Sequence, residues 1–118
     1  MEKKDCVFCK IVKGEIPADK VYDSDNFIGI FDIKPRTIGH TVIIPKRHFE
    51  DNLLGMPSTL GIELLDAIKT IGLGIIKDKK GEGFNVIVNN GSAAGQMVFH
   101  THIHIIPRKT GDGLKGLV

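Results

Sequence analysis

Apolar and polar positions alternate with two different periods along this chain, and each period predicts one kind of element. Over residues 58–80, apolar side chains recur every three or four positions, which is the period of an amphipathic helix. Ser58 stands where it can cap the start, and Gly81 stands where a left-handed residue commonly follows a helix end. The stripe consists of Leu60, Leu64, Ile68, Ile71 and Ile75, broadened by Leu65 and Ile76. We therefore predict one long helix that packs its stripe on a core.

Four shorter segments have the composition of β-strands. They are rich in β-branched and aromatic residues and are bounded by turn-forming residues, as strands commonly are. Pro35 follows the segment 26–32, and Pro45 ends the segment 40–44, because proline has no N–H to donate to a neighbouring strand. The segments are residues 21–23, 26–32, 40–44 and 84–89.

A fifth predicted strand, residues 99–107, carries the candidate chemistry. Histidines occupy its alternate positions 100, 102 and 104, and the residues between them are Phe99, Thr101, Ile103 and Ile105. Since successive strand side chains point to opposite faces, one face is apolar and the other is lined by imidazoles. A solvated polar face is the alternative. The small-residue loop at 91–96 favours a site, because its backbone N–H groups can meet an anion.

Length and charge narrow the class of protein. The chain has 118 residues, which suits one domain spanning 1–118, and its glycine-containing ending at 109–118 is expected to be flexible. A formal net charge of +2 gives no indication of a nucleic acid or membrane partner. No apolar run approaches the ~20 residues of a membrane span. A cytoplasmic protein is the expectation.

The two cysteines, Cys6 and Cys9, form one C-x-x-C pair. In a reducing compartment this spacing indicates a metal site or a redox pair before a structural disulfide. Zinc requires four ligands, and His40 and His48 are the histidines outside the alternating three. The alternative is two buried thiols without a metal.

Residues 95–106, with alternating histidines and intervening apolar residues, resemble the signature of the histidine triad (HIT) superfamily of nucleotide hydrolases and transferases. Residues 6–18 are similar to the amino-terminal segment of the same proteins, and the resemblance extends over about residues 6–108. It implies an α+β fold: a five-stranded, mostly antiparallel sheet with one long and one short helix, paired in a homodimer.

The resemblance implies an enzyme that cleaves a nucleoside 5′-phosphate, AMP in particular, from a leaving group through a nucleotidyl-histidine intermediate. The bond is a phosphoanhydride or a phosphoramidate. His102 would be the nucleophile, His104 would bind the phosphate and assist the leaving group, and Gln96 would stabilise developing charge. His40 would support the triad from the adjacent strand. The implied substrate-binding residues are Phe8, Ile30 and Ile33 near the base, Asp32 at the ribose, and Asn89, Gly95, Gln96, Val98, His102 and His104 around the phosphate.

Relatives with such a cysteine pair imply one structural zinc, held here by Cys6, Cys9, His48 and His100. Two other functions remain open: a nucleotide-binding or scaffold protein without turnover, and a catalytic zinc bound by all three triad histidines. Met97 replaces a small hydroxyl residue that one branch of the family uses to help the leaving group. The leaving group therefore stays open among an amine, a second nucleotide, a sugar phosphate and a protein adduct.

Overall fold

The computed structural model describes residue 3 and residues 5–115, and its described part is built around one five-stranded sheet. All pairings are antiparallel, and the strand order is β1-β2-β3-β5-β4. The strands are β1 (Lys20–Asp23), β2 (Phe27–Phe31), β3 (Thr41–Pro45), β4 (Gly83–Ile87) and β5 (Ile103–Arg108). The helices are α1 (Val7–Val12) and α2 (Gly61–Lys77), with 3-10 turns at Leu53–Gly55, Ser58–Leu60 and Ser92–Ala94. The predicted α+β architecture is confirmed.

The two faces of the sheet carry separate apolar clusters. The long helix α2 covers one face, where its buried residues Ala67, Ile71 and Ile75 pack on the strand residues Phe27, Ile43, Ile103 and Ile105. The short helix α1 covers part of the other face, above Ile28, Ile30, Val42 and Ile44. Because Ile103 and Ile105 point toward α2, strand alternation sends His102 and His104 toward the α1 face.

The ends of α2 differ from those expected from the sequence. Ser58 begins a 3-10 turn, the helix proper starts at Gly61, and no side chain caps it. The left-handed residue after the helix is Lys79, with φ of 58°, while Gly81 lies close to the Gly83 carbonyl, where a Cβ would come within 2.7 Å. Close packing therefore explains Gly81 better than helix termination does.

The apolar stripe of α2 is narrower than predicted. Leu65 is 55% exposed and Ile76 is 42% exposed, so neither belongs to the core of the described chain. They lie on a second apolar stripe with Ile62 and Leu73, which are also exposed. The same helix buries Gly72 against the Phe84 ring of β4, where a Cβ would meet ring atoms at 2.4 Å. Gly72 therefore permits close packing of α2 on β4 within this chain.

The triad strand begins later than predicted. β5 starts at Ile103, so His100 and His102 precede it in extended or bent backbone. Pro45 explains the difference, because it has no N–H with which to continue the ladder between β3 and β5. Its carbonyl instead accepts from the His100 ring, Nε2 to oxygen at 2.9 Å. A side chain thus replaces a ladder hydrogen bond at this point.

Two further expectations concern the chain ending and membranes. The guanidinium of Arg108 donates to the carbonyl of Leu114 at 2.7 Å and pairs with Asp112, which connects residues 109–115 to the sheet. Flexibility of the ending stays a prediction, and residues 116–118 lie outside the described residues. Across the described helices, none combines the length and the apolar character that crossing a bilayer would need.

Candidate active site and metal cluster

A cleft of about 560 Å³ opens on the α1 face of the sheet, and two triad histidines line it. Its apolar wall comes from α1, β2 and β3. Most of the substrate-binding residues predicted from the sequence line it: Phe8, Ile30, Asp32, Ile33, Asn89, Gly95, Val98, His102 and His104. The fold therefore brings together residues that are far apart in the sequence.

His102 lies at the inner wall of this cleft, 8% exposed. Its Nδ1 is 2.8 Å from the carbonyl oxygen of His100. A carbonyl can only accept, so Nδ1 carries the proton and Nε2 of the neutral ring keeps its lone pair. Burial is the main cause that lowers the pKa of His102 below its ordinary value of 6.5. The ring is therefore neutral near pH 7, with one nitrogen available as a nucleophile.

His104 has the opposite hydrogen-bond arrangement. The backbone N–H of Arg36 donates to Nδ1 of His40 at 3.0 Å, which leaves the His40 proton on Nε2. That Nε2 lies 3.0 Å from Nδ1 of His104, which must accept, so the His104 proton sits on its Nε2. Burial, and then the neighbouring imidazoles, lower the pKa of His104 to about 4. The contact between His40 and the triad is the one expected from the sequence.

Asp32 supplies the carboxylate of the cleft, and part of it is already engaged. Its Oδ1 accepts from the backbone N–H of Lys34 at 2.8 Å, and its Oδ2 lies 3.5 Å from Nε2 of His40. Burial lowers the pKa of His40, and the nearby Asp32 carboxylate opposes that effect. Asp32 thus helps to keep the His40 proton on Nε2.

Gln96 is the predicted site residue that the structure does not place on the cleft wall. Its side chain is 4% exposed and accepts from the N–H of Gly91 at 2.7 Å. Its amide group donates to the carbonyl of Val98 at 3.0 Å and to that of Asp51. Gly95, with φ of 90°, completes the turn. Gln96 therefore shapes the loop beside the triad and does not itself reach into the cleft.

The four predicted metal ligands form a separate cluster beside the cleft. Their side-chain donor atoms all lie within 4.8 Å of one another. Nδ1 of His100 is 3.3 Å from Cys6 Sγ and 3.5 Å from Cys9 Sγ, and Nδ1 of His48 is 3.5 Å from Cys9 Sγ and 3.1 Å from Nδ1 of His100. Metal–S bonds of about 2.3 Å and metal–N bonds of about 2.0–2.1 Å, tetrahedrally arranged, require ligand separations of about 3.3–3.8 Å. The cluster fits a tetrahedral metal.

Hydrogen bonds around the cluster prepare its atoms for a metal. His100 donates from Nε2 to Pro45, so its Nδ1 lone pair faces the cysteines. Burial lowers the pKa of His100 to about 4, which keeps the ring neutral as a ligand must be. Backbone N–H groups of Lys3 and Cys9 donate to Sγ of Cys9 and Cys6, which suits thiolates. The interpretation as two thiols without a metal does not account for this convergence.

The three triad histidines do not converge on one ion. Among the described residues, His100 belongs to the cysteine cluster and His104 to a second group with Asp32 and His40. His102 belongs to neither group. The geometry therefore gives no support to a catalytic zinc bound by the whole triad.

Comparison with known proteins agrees with this architecture. The HIT domain family model matches residues 13–111. The chain belongs to the HIT family. It is 46% identical over 112 residues to adenylylsulfatase HINT3 of Arabidopsis thaliana, covering 95% of this chain and 56% of that protein. It is 39% identical to adenosine 5′-monophosphoramidase HNT1 of Candida albicans, covering 92% of this chain and 76% of that protein.

A solved HIT structure gives the same result at the level of the fold. A Zn-bound histidine triad family protein from Mycobacterium smegmatis superposes with a TM-score of 0.87 at 41% identity, covering 94% of this chain and 80% of that chain. This chain spans just over half of the plant relative, so the properties of that whole protein do not transfer directly.

Two residues of this HIT cleft were not predicted as site residues from the sequence. Lys34 and Arg36 line it, although the sequence indicated only a proline turn at their position. A basic residue on each side of Pro35, directly after the cleft carboxylate Asp32, was the signal that could have drawn attention to them.

Proposed function

We propose that this protein cleaves a nucleoside 5′-monophosphate, AMP in particular, from its leaving group through a nucleotidyl intermediate on His102. One observation carries the proposal: neighbouring imidazoles in one cleft are held in opposite tautomers. His102 offers a lone pair for the attack, and His104 offers an Nε2–H that can hydrogen-bond the phosphate and the leaving group. The names of the plant and yeast relatives, an adenylylsulfatase and an adenosine 5′-monophosphoramidase, support an adenylyl group as substrate.

The remaining cleft residues take binding roles in this proposal. The base lies against Phe8, Ile30 and Ile33, and the ribose hydroxyls lie near the free lone pairs of Asp32. The phosphate lies beside Asn89, Gly95, Val98 and the two cleft histidines, all of which line the same wall. Gln96 acts indirectly, by holding the loop that presents Gly95. The bond cleaved is a phosphoanhydride or a phosphoramidate.

We also propose that the metal cluster holds a structural zinc. Its two sulfur and two nitrogen donors are the set that zinc prefers in closed sites, and a bound zinc supplies cross-linking rather than chemistry there. The four ligands come from α1, the segment after β3 and the segment before β5, so they join the amino-terminal region to the sheet. Cysteines held as metal ligands suit a reducing compartment, which supports a cytoplasmic location.

The competing function is nucleotide binding without turnover. The two are separated by incubating the protein with adenosine 5′-phosphosulfate, ADP and adenosine 5′-phosphoramidate and measuring AMP release. We expect AMP from at least one of them, at kcat values in the ordinary range of about 1–10³ s⁻¹. Tight AMP binding with no release from any of the three would instead identify a binding or scaffold protein.

A homodimer is the second part of the proposal. The exposed stripe of α2, Ile62, Leu65, Leu73 and Ile76, lies next to the edge strand β4, whose Phe84 and Val86 are also partly exposed. An apolar helix face beside an open sheet edge is a surface that a second copy can cover.

Light scattering at micromolar concentration is therefore expected to give twice the chain mass. Leu73→Glu should shift the protein to monomers, because it places a charge in the middle of the stripe. Leu54→Glu is the matched control, since Leu54 is also exposed but lies outside both α2 and β4. A monomeric wild type, or equal effects of the two variants, would contradict the dimer on this face.

A further inference from the structure

Two basic side chains line the cleft without a part in the chemistry proposed above. Lys34 and Arg36 are exposed, and both line the cleft that holds the triad histidines. Among the described residues, neither side chain has an ion-pair partner. Of the described residues that line the cleft, Asp32 is the one carboxylate, and it contacts the Lys34 backbone and His40. The outer part of the cleft therefore carries two positive charges that no acidic group of the described chain neutralises.

Hydrogen bonds connect Arg36 to His104 rather than to His102. The backbone N–H of Arg36 is hydrogen-bonded to His40, which is hydrogen-bonded to His104. Burial is the main cause of the lowered pKa of His40 and of His104, and the charge of Arg36 adds to it in both. Arg36 therefore lies on the His104 side of the cleft.

We infer that Lys34 and Arg36 form a subsite for an anionic leaving group, a phosphate or sulfate joined to the α-phosphate of the nucleotide. The inference rests on the proposed function and adds the class of leaving group that the site favours. In a displacement at phosphorus, the leaving group departs opposite the nucleophile, so the His104 side of the cleft is where it must sit. Guanidinium and ammonium groups are the side chains best suited to oxyanions of this kind.

The bonds and charges of the step balance without a further reactant. A bond forms between Nε2 of His102 and the α-phosphorus, and the bond from that phosphorus to the bridging oxygen breaks. The oxygen keeps the electron pair, so the departing phosphate or sulfate gains negative charge, which Lys34 and Arg36 stabilise. Water then displaces His102 from phosphorus, His102 recovers its electron pair, and the proton lost by water passes to the solvent. An amine leaving group would instead take up a proton from the solvent, with the His104 imidazole assisting its delivery.

The test compares substrates that share the adenylyl group and differ in the leaving group. Kinetics of Arg36→Ala and Lys34→Ala are measured on adenosine 5′-phosphosulfate, on ADP and on adenosine 5′-phosphoramidate. We expect each variant to lose about tenfold in kcat/KM on the first two and less than about twofold on the amidate, since charge-assisted contacts are lost only with the anions. Arg36→Ala keeps its backbone N–H, so the bond to His40 is preserved. Arg36→Lys should restore most of the loss.

Lys77→Ala is the matched control, because it removes one positive charge from α2, outside the cleft lining. It should change none of the three rates by more than about twofold. A loss on one anionic substrate alone would support the subsite and identify its oxyanion as sulfate or as phosphate. Equal losses on all three substrates, or no loss on any, would overturn the inference while the proposed function stands. Absence of AMP release by the wild type from every substrate would overturn both.

Discussion

Replacing His102 with alanine is expected to abolish turnover while nucleotide binding persists. The side chain supplies the attacking nitrogen, and among the described residues that line the cleft no other histidine ring is shown bonded to a backbone carbonyl in this way. Loss of a covalent nucleophile lowers kcat by about 10⁵-fold or more, beyond the ~10²–10⁴ that follows loss of one general acid or base. Steady-state kinetics should show this loss, and calorimetry should show AMP binding within about threefold of wild type.

The matched variant is His104→Ala, which removes the neighbouring, less buried imidazole from the same cleft. It should retain more activity than His102→Ala, since it loses a hydrogen-bond donor and keeps the nucleophile. Mass spectrometry of quenched wild-type reactions should find the nucleotidyl group on the peptide that contains His102. An adduct on His104, or a His102→Ala protein within tenfold of wild type, would show the assignment to be wrong.

Removing the metal is expected to destabilise the fold strongly. The cluster joins α1 to the sheet through four side chains from three separate parts of the sequence, so metal binding is coupled to folding. A ligand present at a thousandfold above its Kd stabilises the native state by about 4 kcal/mol, which corresponds to a fall in Tm of about 10–20 °C when it is removed. Metal analysis should find one zinc per chain, and calorimetry with a chelator should show the fall.

Cys9→Ser should reproduce this fall without a chelator and should bind less than one zinc per chain. His40→Asn is the control, because it changes a buried histidine that is outside the cysteine cluster. That variant should keep its zinc even where its stability drops. Metal-free protein with unchanged Tm would contradict a structural role for the cluster.

The sequence predicted most of the sheet and both side-chain clusters, because each depends on local periodicity or on a short motif. The alternating residues around His102 follow from strand geometry alone, and the stripe of α2 follows from helix geometry. The metal ligands came from the resemblance to HIT proteins, since spacing alone identifies Cys6 and Cys9 but not which histidines accompany them. Which distant histidines come close to these cysteines is determined by the fold.

The errors arose where tertiary contacts decide what a residue does. Leu65 and Ile76 fit a core helix by spacing, yet they lie outside the helix face that packs on the sheet. Gln96 is expected at the phosphate from the resemblance, and its amide bonds backbone groups of its own loop, so a contact with phosphate stays a prediction. Lys34 and Arg36 were not predicted, because residues in a proline turn follow neither helix nor strand periodicity. Their position beside the cleft becomes visible only in the folded chain.

The tautomer of His102 is set by a main-chain atom, the carbonyl of His100. Amino-acid substitution changes side chains and leaves that carbonyl in place, so a mutational scan has no variant that deletes this acceptor. Its contribution would appear only indirectly, at positions that fix the local path of the backbone, such as the fully buried Thr101. Backbone chemistry reaches it directly: an ester in place of the amide between positions 100 and 101 weakens the acceptor and alters no side chain. Side-chain substitutions alone would therefore underestimate how far the path of the main chain determines the tautomer of His102.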